Sequence, residues 1–103
     1  MRRTFNIMKE TEIVNVTEEI VRGLVSFMLQ SPGYQMFCQC KECELDVVAM
    51  TLNTLPAKYV VSKAARNNAF EYFNRPENIE YINKQIIWAL HVVSKKENHI
   101  KIT

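Results

Sequence analysis

The chain has 103 residues, a formal charge of +2, 48% hydrophobic residues and 23% charged residues. That length supports one domain, and that composition excludes a chain disordered throughout. Two glycines and three prolines are too few for a turn-dense sandwich or barrel. A charge of +2 neither demands nor excludes a nucleic-acid partner, but the basic residues are scattered rather than clustered on one face as in a duplex binder, so such a partner is not expected.

Residues 1 to 12 show no clear period and are expected to be mobile. Met1-Arg2-Arg3 is basic, but no apolar segment follows it, so a secretory leader is not expected; Met8 is an alternative start. The longest apolar run, Ile86 to Val93, contains His91 and falls well short of the ~20 residues that span a bilayer. A cytoplasmic, reducing setting with no membrane partner follows. In such a setting a clustered odd number of cysteines reads as metal ligands or free thiols rather than disulfides.

A single helical domain is expected over residues 13 to 96. Ile13, Val16, Ile20, Leu24 and Phe27 fall at steps of three and four, one face of a first helix. Asn15 and Glu18 stand at capping-box spacing. Val14, Val21, Val25 and Met28 make a second apolar stripe, which implies one core face and one partner face. Gly23 costs about 1 kcal/mol relative to alanine in mid-helix and is read as a point of close helix approach. Ser31-Pro32-Gly33 ends the element.

A loop over 34 to 43 leads into a second helix from about Glu42 to Thr54, with Leu45, Val48, Ala49 and Leu52 as its buried stripe and Pro56 as its stop. Tyr59-Val60-Val61 reads as extended chain. A third helix is expected over Ser62 to Phe73, with Ser62 as N-cap. Asn74-Arg75-Pro76-Glu77 opens a fourth, which runs to about Lys96 with Ile79, Ile82, Ile86, Leu90 and Val93 facing inward. The tail, 97 to 103, is expected to be mobile. The fold class is therefore all-α: a bundle of three to four helices with a cysteine-rich loop. A bundle this small benefits from dimerisation or a metal staple.

Cys38, Cys40 and Cys43, the chain's only cysteines, form C-x-C-x-x-C. Three thiolates so spaced fit three corners of a tetrahedral zinc; equally, they are three reduced thiols packing a loop. His91, His99, Glu42, Glu44, Asp46 or a residue of a second subunit are candidates for the fourth corner. A structural role is expected of any zinc there, since no activating group adjoins the cluster. Asp46 and Asn53 lie seven residues apart, on nearly one side of the second helix. They either edge a ligand groove or cap the helix ends. Lys58, Tyr59 and Arg66 combine a ring and cations able to stack a base and pair a phosphate, or simply pack on the bundle and meet solvent. No glycine-rich phosphate loop, Ser-His-Asp order or H-E-x-x-H occurs, and catalysis is not expected.

The segment Cys38-x-Cys40-x-x-Cys43-x-x-Asp46-Val47-Val48-Ala49, followed by Leu52-Asn53-Thr54-Leu55-Pro56-Ala57-Lys58-Tyr59-Val60, resembles the late competence development ComFB family. Asn15-Val16-Thr17-Glu18-Glu19-Ile20-Val21 resembles that family's opening helix. The resemblance covers about residues 13 to 62. It implies a bacterial helical homodimer, zinc-containing in some members, related to competence. It also implies a receptor for cyclic dinucleotides, chiefly cyclic di-GMP, which binds without turnover and signals to a downstream protein partner. Asp46, Asn53 and Tyr59 are the binding positions carried over. Ala57 stands where many relatives have a second proline, and Lys58 where arginine is frequent, which weakens bidentate phosphate or guanine recognition. The alternative reading is a zinc-stapled structural dimer that docks on another protein.

Overall fold

Of the first helix's two apolar stripes, one buries Val21 and Val25 fully and leaves Val14 and Met28 half-buried, whereas the other buries Val16 but leaves Ile13 and Phe27 64% and 71% exposed. The computed structural model describes residues 12–96; the expected mobile ends, 1–11 and 97–103, lie outside the described residues. Among the described residues there are four α-helices, α1 (Val16–Leu29), α2 (Lys41–Leu52), α3 (Lys63–Phe73) and α4 (Pro76–Lys96). Two short strands join them, β1 (Val14–Asn15) and β2 (Tyr59–Val60). The fold is mostly helical, as expected.

The small sheet corrects the reading of residues 13 to 15 as helix. β1 pairs antiparallel with β2, Val14 opposite Val60 and Asn15 opposite Tyr59. Asn15 makes no side-chain cap of α1. Its Oδ1 instead accepts the Lys58 N–H at 3.0 Å, and Glu18 pairs with Arg22 at 2.9 Å, so the expected capping box is replaced. The Val16 N–H donates to the Lys58 carbonyl at 2.8 Å, and the Thr17 hydroxyl donates to the Pro56 carbonyl at 2.9 Å. The Lys58 carbonyl, distant in sequence, thus supplies an acceptor to the first helical N–H, which would otherwise lack one.

The main core unites α1, α2 and α4 through Val21, Val25, Val47, Val48, Ile86 and Leu90. On α2 the buried face is Cys43, Val47, Val48 and Thr51, one step round from the expected stripe: Leu45 is 39% exposed and Ala49 faces outward. The cysteine turn enters at this face and fixes the rotation of the helix. A smaller cluster of Val16, Val60 and Ala69 ties α3 and β2 to the start of α1. Ser62 caps α3, its Oγ accepting the Ala65 N–H at 3.1 Å, as its position predicts. Gly23 does not serve a close approach within the chain: a Cβ there meets nothing within 4 Å. No helix among the described residues is long and apolar enough to cross a membrane.

Candidate functional site

Two places concentrate chemistry, one at each end of α4. The first is the cysteine turn. Cys40 is the N-cap of α2, and its sulfur accepts the Cys43 N–H at 3.3 Å. Cys38 is half-buried, Cys40 exposed and Cys43 buried. Their three sulfurs lie within 4.8 Å of one another. A tetrahedral ion with metal–sulfur bonds of about 2.3 Å holds its sulfurs about 3.8 Å apart, so small side-chain adjustments seat all three on one ion. Among the described residues, this group of potential ligands comprises the three cysteines alone. Their thiolates would supply a soft, tetrahedral-type donor set.

The turn tunes its thiols in opposite directions. The Cys43 amide aimed at its sulfur, with smaller help from Cys38, lowers the pKa of Cys40. Burial first, then the neighbouring sulfurs of Cys38 and Cys40, pushes Cys43 from 9.0 up to about 12. A raised folded-state value stabilises the protonated chain below the ordinary thiol range, and that stabilisation is lost as pH climbs through the raised value. The metal-free chain is therefore expected to lose stability progressively between about pH 9 and 12, and Cys43→Ala to flatten that slope; urea midpoints across the range measure it.

The second place is an open groove of about 1000 Å³ between the 55–61 segment, α3 and the start of α4. Lys58 and Tyr59 line it, together with Asn68, Tyr72, Asn78 and Tyr81. The β1–β2 pairing and the Thr17 hydroxyl hold the 56–60 strip in place. Asn78 Nδ2 donates to the Tyr72 carbonyl at 2.7 Å, which fixes the α3–α4 turn. The Arg75 guanidinium sits 5.2 Å from the Tyr72 ring centroid, a cation beside an aromatic wall. Tyr59, Tyr72 and Tyr81 are each at least half exposed.

The structure thus brings Lys58 and Tyr59 together and separates the other three candidates from them. Asp46 is exposed on α2 and Asn53 is exposed at its C-cap, and neither is in the groove lining. Arg66 is 8% exposed. Its Nε donates to Glu19 Oε1 at 2.9 Å and its Nη2 to Glu19 Oε2 at 3.2 Å, and its guanidinium lies over the Phe70 ring. The groove's tyrosines and asparagines at 68, 72, 78 and 81 were not singled out as a site from sequence. Their one signal is position: Tyr81 falls off the core stripe of α4, and Asn68 interrupts the apolar pattern of α3.

The model of the family described as late competence development protein ComFB matches residues 14–97. The chain belongs to the ComFB family. The match takes in both the cysteine turn and the groove, and membership makes this a competence-related protein of a family not known for enzymes. The chain is also similar in fold to the late competence protein ComFB of Bacillus subtilis, with TM-score 0.72 and 22% identity over 89% of this chain and 99% of that one. No curated protein shows significant similarity to it.

Proposed function

We propose that this ComFB-family chain is a non-enzymatic, cytoplasmic receptor for a cyclic dinucleotide, cyclic di-GMP, which signals to a downstream protein as a homodimer. The observation that carries the reading is the groove: its three partly exposed tyrosines, two amides and Lys58 supply stacking faces, hydrogen-bonding groups and a cation for phosphate. A groove of that volume is at the upper end of ordinary small-molecule sites. Tyr59 is the stacking residue and Lys58 the phosphate partner. Arg66 acts through Glu19, positioning α3 along the groove wall. The half-buried Ile20 and Leu24 with the exposed Phe27 are the apolar α1 surface that a second copy covers.

The cysteine turn serves as a structural zinc site. When bound, zinc would staple the 38–43 loop to α2 through these thiolates and offset most of their charge in a structural role.

Calorimetric titration of the full chain with cyclic di-GMP tests the receptor reading. Binding is expected at micromolar protein. Tyr59→Ala is expected to weaken it by about 1–3 kcal/mol, the worth of one base stack, with Asp46→Ala unchanged. No heat from the wild-type chain, dimeric by light scattering, would overturn the receptor and leave the zinc-stapled interaction module.

A further inference from the structure

The cysteine turn pairs two of its thiols more closely than metal binding alone requires. Cys40 and Cys43 stand at C-x-x-C spacing, Cys40 at the N-cap of α2 and Cys43 in its first turn. Cα atoms one helical turn apart lie about 5 Å from each other, inside the ~4.4–6.8 Å that a disulfide spans. The Cys43 N–H donates to the Cys40 sulfur at 3.3 Å, so the Cys40 side chain folds back over that turn. The sulfurs of the cluster lie within 4.8 Å of one another, and side-chain rotation alone can close such a gap. Accessibility divides the pair. Cys40 is exposed, whereas Cys43 is 5% exposed and lines a small cleft with Val47, Leu90 and Val93. A bulky reagent therefore reaches Cys40 and not Cys43, while the Cys43 sulfur stays beside whatever forms on Cys40.

We propose that Cys40 and Cys43 are a redox-active dithiol, oxidised by low-molecular-weight disulfides to an internal disulfide across the first turn of α2. The Cys40 thiolate attacks one sulfur of the reagent; the reagent's S–S bond breaks, a mixed disulfide forms on Cys40, and one thiolate leaves. Cys43 then gives up its proton and attacks the Cys40 sulfur, expelling the second half of the reagent. The two protons of the dithiol end on the two released thiols, and two electrons pass from the protein to the reagent. Neither a dinucleotide nor a metal takes part. The burial of Cys43 orders the steps: it resolves the mixed disulfide from inside and is not itself the first point of attack. The oxidised turn no longer offers two of its three thiolates to an ion, so oxidation and metal capture exclude each other.

Oxidation of the full-length, fully reduced chain by excess glutathione disulfide, with EDTA present, tests this. Two of the three thiols are expected to disappear, with no glutathione retained, and peptide mapping by mass spectrometry is expected to join Cys40 to Cys43. Cys43→Ala is expected to stop at a stable mixed disulfide, one glutathione per chain on Cys40. Cys40→Ala is expected to react more than about tenfold more slowly, and Cys38→Ala to match the wild type. The mapping needs no variant, so a poorly folded Cys43→Ala leaves the test intact. Three thiols surviving in the wild type, a glutathione adduct that persists there, or a mapped bond that includes Cys38 would overturn the assignment, as would a wild-type rate in Cys40→Ala.

Discussion

Arg66→Ala is expected to destabilise the domain by about 3–5 kcal/mol, because it strands Glu19 in a setting only 15% exposed with its bidentate partner removed. The guanidinium contacts both carboxylate oxygens, and Arg66→Lys, which lacks that fork, is expected to recover only part of the loss. Urea denaturation with unchanged slope is the measurement. An apolar pair of similar volume, Glu19→Leu with Arg66→Met, is expected to restore most of the stability, since no buried charge is then left unmatched. That double variant also separates two roles for Arg66. If it only positions α3, cyclic di-GMP affinity in the refolded double variant stays within a few-fold of wild type. A loss beyond about tenfold in a stably folded double variant would place the guanidinium in contact with ligand.

The case of Arg66 shows why part of the site was not legible in the sequence. A cation four residues past a helix N-cap looks available to a phosphate, and its partner Glu19 stands 47 residues earlier, on a helix whose orientation depends on the β1–β2 pairing. That pairing also decides between the stripes of α1. Both stripes have helical period and branched aliphatic residues, so periodicity could not rank them; the strand that pulls Val14 and Asn15 toward Val60 and Tyr59 sets the rotation that buries Val21 and Val25. The face of α2 was misread by one step for a similar reason: Cys43, buried at 5%, counts as a core residue there.

What local chemistry governs was legible. Pro76 and Ser62 opened their helices where expected, and the cysteine spacing placed its sulfurs within reach of one ion. Lys58 and Tyr59 fall on the groove lining because they follow a proline stop that leaves them on an exposed strip. Tyr72 and Tyr81 were not, because a groove wall built by two helices meeting at a turn has no period of its own.

Ile86→Ala is expected to cost about 2–5 kcal/mol, and Ile86→Val about 0.5–1.5 kcal/mol. Ile86 is fully buried, in the middle of α4, among Val21, Val25 and Val48. Its position gives the cavity a consequence beyond stability. Ile82, one turn earlier, lines the groove, and Leu90, one turn later, lines the cleft beside Cys38 and Cys43. Those two residues are about 12 Å apart along the helix, and the rigid packing of Ile86 between them keeps both ends of α4 in register with α1 and α2. On the receptor and zinc readings proposed above, cavity formation there is expected to weaken cyclic di-GMP binding and metal retention together at temperatures where the domain is still folded. Val93→Ala, near the end of the helix, is expected to affect metal retention alone. Thermal melts of each variant, paired with ligand and cobalt titrations well below the transition, give the comparison. Equal losses at both sites from both substitutions would show that α4 does not hold the two sites independently at its ends, but transmits a single global loosening.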